Sequence, residues 1–159
     1  MTLCETFGVL NPPAHVIATD IDTNVLTAAS KGIYSIDRLD KMSAARSKRF
    51  FQKGKGEQDG LVRVRPELRN MVTFKQLNLL SDKWPVSGPF DAIFCRNVMI
   101  YFDKPTQGKI LARFVPLMKP GAILFAGHSE NFLYACDSLK LRGKTVYELT
   151  SNPVRTNRV

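Results

Sequence analysis

The sequence predicts an α/β fold: a mostly parallel sheet with an antiparallel end, interrupted by a small inserted antiparallel β-subdomain. Three observations predict it. Short apolar runs at 15–20, 90–95 and 122–127 each lead into polar residues, as strands of a parallel sheet do. Segments of helical periodicity lie between them. A basic stretch of period two, Leu61-Val62-Arg63-Val64-Arg65, breaks that alternation.

At 159 residues the chain suits one domain, and 44% hydrophobic content is enough to bury a core without disulfide or metal staples. Cys4, Cys95 and Cys136 form no C-x-x-C pair, which points to a reducing compartment. There is no apolar run of the roughly 18 residues a membrane span requires, and Met1-Thr-Leu-Cys-Glu lacks the basic start of a signal peptide. A cytoplasmic protein without membrane insertion is expected.

Taken in order, His15-Val-Ile-Ala-Thr-Asp20 reads as a buried parallel strand, with Asp22 or Thr23 capping a helix that Gly32 ends. Residues 36–51 read as one helix or two short helical turns. Lys53 to Gly60 holds three glycines and reads as a loop. Leu61–Arg65 and Met71–Gln76, joined by a turn near Pro66, read as a β-hairpin, so residues of about 52–75 form the inserted subdomain. Phe90–Cys95 is expected as a buried strand. Pro105 opens a helix with Ile110, Leu111, Phe114, Val115 and Met118 on one face, and Pro120-Gly121 is read as its stop. Ala122–Gly127 is the next strand. Leu139–Arg142 and Thr145–Leu149 flank Gly143-Lys144 as a second hairpin. Residues 151–159 are expected to form a flexible tail.

The formal charge of +9 is concentrated: residues 41–75 carry ten Lys or Arg and three acids. A basic patch calls for an anionic partner or is a solvated face. No zinc-finger, RNP or helix-turn-helix pattern accompanies it, which argues against nucleic acid.

Four places carry candidate chemistry. Asp20, at a strand end, is suited to a ribose diol because a carboxylate accepts from two vicinal hydroxyls; a turn role is the plainer alternative. Asn78 can read a base edge with its amide beside an apolar wall at Leu79, or serve as a turn residue before core leucines. Cys95-Arg96-Asn97-Val98-Met99-Ile100-Tyr101-Phe102 puts Arg, Asn and Tyr directly after a strand, where open α/β sheets bind their ligands. Gly127-His128-Ser129-Glu130-Asn131 pairs a His with a Glu, but no second His lies at metal-ligand spacing, so no metal is expected.

Ala18-Thr-Asp-Ile-Asp-Thr23, Gly60-Leu-Val-Arg-Val-Arg65, Asn78-Leu-Leu80 and Pro89-Phe-Asp-Ala-Ile-Phe-Cys-Arg-Asn-Val-Met-Ile-Tyr-Phe102 occur in order. Phe114-Val-Pro-Leu117, Leu124-Phe-Ala-Gly-His-Ser-Glu-Asn131 and Leu141-Arg-Gly-Lys-Thr-Val-Tyr147 follow. Together they resemble the CheR-type chemotaxis receptor glutamate methyltransferases over residues 1–150. The resemblance implies a Rossmann-like methyltransferase sheet that passes methyl from S-adenosylmethionine to receptor glutamates and leaves S-adenosylhomocysteine. It implies that Asp20 holds the ribose, that Asn78 and Leu79 line the adenine pocket, and that Arg96 and Asn97 lie against the cofactor. Arg96 and Tyr101 are the implied catalytic residues. Lys53, Gly54, Gly60 and Arg63 match positions that hold a receptor tail peptide. The family's first strand, with its Gly-rich turn, and its amino-terminal helical domain have no counterpart in these residues, so a sheet without that strand is expected. A non-catalytic module that docks receptor tails is the alternative function.

Overall fold

The computed structural model describes residues 1–127, 130, 132 and 136–150. The chain divides into two compact units, residues 1–86 and 87–159.

The first unit opens with helix α1 (Thr2–Thr6), followed by strand β1 (Val16–Asp20) and helix α2 (Thr23–Lys31). Asp22 caps α2 by accepting from the Asn24 amide at 2.7 Å, and Gly32 closes it in a left-handed conformation. Strand β2 (Ile33–Ser35), a 3-10 turn at Ile36–Leu39, helix α3 (Ala44–Phe50) and strand β3 (Phe51–Lys53) come next. Strand β4 (Leu61–Val64), helix α4 (Pro66–Asn70) and strand β5 (Val72–Gln76) complete the unit.

Two sheets result. In one, β1 and β5 run parallel and in register from Val16 opposite Val72 to Asp20 opposite Gln76. In the other, β4 lies between β2 and β3, antiparallel to both. The expected hairpin of Leu61–Arg65 with Met71–Gln76 is therefore wrong. Pro66 starts a helix instead of a turn, its fixed φ and missing N–H suiting a first helical position. That helix turns the chain away so that Val72–Gln76 joins β1. The inserted antiparallel sheet is real, but its strands come from 33–35, 51–53 and 61–64.

The core of this unit joins Cys4, Phe50, Phe51, Val62, Leu68 and Met71. The Cys4 thiol donates to the sulfur of Met71, between α4 and β5, at 3.8 Å. Glu5 binds Arg46 through two contacts of 2.6 and 3.0 Å, tying α1 to α3. The buried strand expected at 15–20 is parallel but not buried: Val16 and Thr19 are exposed and Ile17 and Ala18 half-buried. Among the described residues β1 pairs along one edge only, so part of its surface has no cover.

The second unit begins with strand β6 (Phe90–Cys95) and a 3-10 turn at Met99–Tyr101. Helix α5 (Lys104–Phe114), strand β7 (Met118–Ala126), strand β8 (Leu139–Gly143) and strand β9 (Val146–Leu149) follow. The strand order is β6-β7-β9-β8, with β6 parallel to β7 and the remaining pairs antiparallel. A parallel pair leading into an antiparallel end is what the sequence predicts, although two of the three pairs in this sheet are antiparallel.

Helix α5 ends at Phe114, so Val115 and Met118 lie beyond it and Pro120-Gly121 is not its stop. Both sit inside β7, where the pairing jumps from Phe90–Met118 to Ala92–Ile123. Such a bulge admits a proline, which cannot donate to a ladder, and the φ of +76° at Gly121. Strand β6 is an edge strand, and Phe94 on it is 70% exposed, stacked on Phe125 at 4.4 Å, rather than buried as expected. The tail expected at 151–159, with His128, Ser129 and Asn131, lies outside the described residues.

Candidate functional site

Parallel strands that end together bring their following residues side by side. In the first unit, Asp20 ends β1 directly opposite Gln76 at the end of β5. The Leu77 amide then donates to the Asp20 carbonyl at 2.9 Å, carrying the pairing one residue further. Asn78 and Leu79 follow at once, so three sequence-predicted residues gather at one carboxyl end.

One oxygen of the Asp20 carboxylate accepts from the Asp22 amide at 3.0 Å. The other has no hydrogen bond among the described residues and is open to a hydroxyl donor. The Asn78 oxygen accepts from the Leu80 amide at 2.9 Å, a local turn that leaves its NH2 group outward. Leu79 is half-buried beside it. A carboxylate with a spare acceptor, an amide with spare donors and an apolar neighbour fit the ribose and base of a nucleoside.

In the second unit, Cys95 ends β6 opposite Ala126. Arg96 and Asn97 follow, both exposed, and Asn97 takes a φ of +59°, a left-handed conformation that Asn tolerates better than most residues. Tyr101 is 80% exposed. Neither the Arg96 guanidinium nor the Tyr101 hydroxyl has a hydrogen bond or ion pair among the described residues. Cationic and hydroxyl donors of this kind fit a carboxylate.

Cys95 itself is buried, and burial, with Glu130 nearby adding to it, pushes its thiol up to about 12. It is a neutral wall of the strand, not a nucleophile.

The basic patch separates into two groups. Arg46, Arg49, Arg65, Arg69 and Lys75 hold the fold, on Glu5 and on the carbonyls of Cys4, Lys48, Ser30 and Pro85. Lys53, Lys55 and Arg63 make no hydrogen bond or ion pair among the described residues. Lys53, Gly54 and Arg63 line one groove of about 360 Å³ with Gln52, Gln58 and Leu61.

Gly60 is not on that lining; its carbonyl accepts from the Ile36 amide at 2.9 Å. Gly54 has an internal reason to be glycine, because a Cβ there would meet the Gln58 carbonyl oxygen at 1.9 Å. A second groove, about 230 Å³ and bordered by Leu3, Val16, Tyr34, Leu68 and Phe74, contains none of the sequence-predicted residues.

Two residues that sequence reasoning did not assign stand out. Glu130 is 5% exposed and Gln107 is 7% exposed, and both hydrogen-bond the backbone around Met99. In the sequence Glu130 reads with His128 as a pair that could suggest acid–base catalysis or a metal, not as a buried acceptor of backbone amides. Gln107 sits in a helical pattern with no local cue to its burial. Among the described residues, no group of three or more His, Cys, Asp or Glu could hold a metal ion. Nor is any helix there long and apolar enough to cross a membrane.

The family described as "CheR methyltransferase, SAM binding domain" matches residues 1–147. The "Chemotaxis protein methyltransferase" of Escherichia coli K12 is 53% identical over 152 residues, covering 96% of this chain and 53% of that protein. The protein of that name from Klebsiella aerogenes is 55% identical over 150 residues, 94% of this chain and 52% of its own length. "Chemotaxis protein methyltransferase 2" of Pseudomonas aeruginosa is 51% identical over 147 residues, 92% of this chain and 52% of that protein. The chain thus spans about half the length of the curated relatives it matches. Matched along nearly its whole length, and with an α/β sheet of the expected order, the chain belongs to the CheR methyltransferase family, as its S-adenosylmethionine-binding domain.

Proposed function

We propose that this chain is the cofactor-binding part of a cytoplasmic enzyme that methylates glutamate side chains of chemotaxis receptors. The family match over residues 1–147 carries the reading, and the names of the relatives supply the chemotactic context. Bound S-adenosylmethionine supplies a methyl group on a sulfonium, which leaves with only a thioether behind.

Little acid–base help is needed, since a glutamate is already ionised near neutral pH. The residues have to align the carboxylate and offset the cost of drying it. In this reading Asp20 accepts from the ribose hydroxyls, while Asn78 and Leu79 border the base. Arg96 and Asn97 lie against the cofactor, and Arg96 and Tyr101 orient the acceptor carboxylate by donating to it. The open carboxylate oxygen of Asp20 and the unpartnered donors of Arg96 and Tyr101 support these assignments.

The finer partner in this reading is an acidic, aromatic-bearing receptor tail that adds to the inserted sheet as a further strand. Strand β3 is an edge of that sheet, and edges accept added strands. Lys53 and Arg63 line the groove beside it without internal partners. Gly54 and Gly60 belong to the same loop, which the fold itself requires at Gly54.

The test is transfer of labelled methyl to a receptor cytoplasmic fragment by a protein carrying this chain. Label that is alkali-labile, as a methyl ester is, and absent when the acceptor glutamates are alanine is the expected result. Equal labelling of both fragments, or none of either, contradicts it.

A further inference from the structure

The segment from Arg96 to Phe102 holds the exposed Arg96, Asn97 and Tyr101, yet its own backbone is gripped from inside. At one end, the Glu130 carboxylate takes three amides. The Val98 and Met99 N–H groups donate to its Oε1 at 3.1 and 2.8 Å, and the Gly127 N–H donates to Oε2. At the other end, the Gln107 amide group donates to the carbonyls of Met99 at 2.8 Å and Phe102 at 3.0 Å. The Gln107 oxygen accepts from Lys104 at 3.2 Å.

Both side chains are buried, and Met99 between them is fully buried. The Met99 carbonyl already accepts from the Phe102 amide at 3.1 Å within the 3-10 turn, so Gln107 adds a second donor there and one at Phe102, while the Val98 and Met99 amides, which follow a strand end, take the Glu130 carboxylate. Here one carboxylate answers the donors and one amide answers the acceptors. Gly127 completes the fit: a Cβ there would come 2.6 Å from the Asn97 side-chain oxygen and 2.7 Å from the Glu130 carboxylate. No larger residue fits at that position without moving Asn97.

We propose that Glu130 and Gln107 are positioning residues that set the Arg96–Tyr101 turn in the form that meets cofactor and acceptor. The inference rests on the function proposed above. Neither side chain need touch a ligand; each acts through the backbone it holds. The chemistry of the two is not interchangeable. In Glu130→Gln an NH2 donor faces at least one backbone N–H. In Gln107→Glu a carboxylate faces two carbonyls. Each change preserves size and reverses the sign of a buried contact, so the turn must shift to relieve it.

The experiment compares Glu130→Gln, Gln107→Glu and the control Leu149→Ala, a core truncation on β9 at a residue paired with Leu139. Thermal unfolding, S-adenosylhomocysteine affinity and amide hydrogen exchange are measured on each, at a temperature where all are folded. The expected result is a loss of affinity of about tenfold or more in the two polar variants, with wild-type affinity in Leu149→Ala, as loss of a buried charged hydrogen bond implies. Faster exchange at Val98 and Met99 accompanies it in Glu130→Gln. If one polar variant fails to fold, the other decides. Affinity in a folded polar variant equal to that of the control, with unchanged exchange, overturns the proposal. A wild-type protein that does not bind S-adenosylhomocysteine overturns the functional reading instead. The exchange data then decide separately whether the two side chains hold the turn.

Discussion

The Leu77 amide donates to the Asp20 carbonyl at 2.9 Å, so the parallel pairing of β1 and β5 continues past the ends of both strands. That bond places Asn78 next in line beside Asp20. It also separates the roles of two neighbouring acids, since Asp20 faces the strand ends and Asp22 caps α2.

Replacing each acid with alanine should therefore affect different properties. Asp20→Ala should weaken S-adenosylhomocysteine binding by about 1.5–3 kcal/mol, the value of hydrogen bonds to a charged acceptor. Asp22→Ala should lower stability by about 1 kcal/mol through the lost cap, with much less change in binding. Calorimetric titration and denaturant unfolding read the two effects; unchanged affinity in Asp20→Ala removes that residue from the site.

Tyr101 is exposed and its hydroxyl is unpartnered, so its removal should be silent in the folded protein. Tyr101→Phe should leave stability and S-adenosylhomocysteine affinity near wild type and slow methyl transfer about five- to tenfold, as expected for one hydrogen bond made during reaction. Single-turnover transfer measured beside equilibrium binding checks this. A loss confined to affinity would place Tyr101 on the cofactor instead of the acceptor.

The raised Cys95 thiol makes stability depend on alkaline pH. An unfolded thiol loses its proton near pH 8.5, whereas the folded one keeps it to about 12. Its contribution is fully present below the unfolded value and is lost as pH rises through that window. Stability of wild type should fall between about pH 9 and 12 more steeply than that of Cys95→Ala. Denaturant midpoints across the range report it; parallel curves would show that Cys95 ionises as freely in the folded state.

At the inserted sheet, Arg63→Glu should weaken binding of an acidic, aromatic-bearing peptide. Wild-type binding should itself fall with salt, because these charges are exposed and screened. Arg69→Lys makes a useful contrast, since Arg69 binds the Ser30 carbonyl and should affect stability more than peptide binding. Fluorescence titration with duplex DNA and anionic vesicles as controls separates the partners. DNA or vesicles binding where the peptide does not would overturn the docking assignment.

The alternation of apolar runs and helical patterns was enough to predict the α/β order, both ends of α2 and the β8–β9 hairpin. Those features rest on local chemistry: Asp22 as cap, Gly32 as stop, and a tight reversal at Lys144, whose φ is +46°. The partner of Leu61–Val64 was not legible. Strands β2 and β3 have three residues each, too few for a period of two to show, and α4 has five, too few for a helical stripe. Pro120-Gly121 misled because the same pair suits a helix stop and a strand bulge alike. Arg96, Asn97 and Tyr101 were legible as polar residues after an apolar strand. Glu130 and Gln107 were not, since a polar residue's burial depends on what packs over it.

The proposed function requires that Asp20, Asn78, Leu79, Arg96 and Asn97 each respond to the cofactor. Its most direct test is residue-resolved titration of the chain with S-adenosylhomocysteine by amide NMR, which reports weak as well as tight binding. Saturable shifts at those five positions, with Lys53 and Arg63 unmoved and Asp20→Ala abolishing the response, are the expected result. No saturable shifts, or shifts confined to the groove of Lys53 and Arg63, would contradict it.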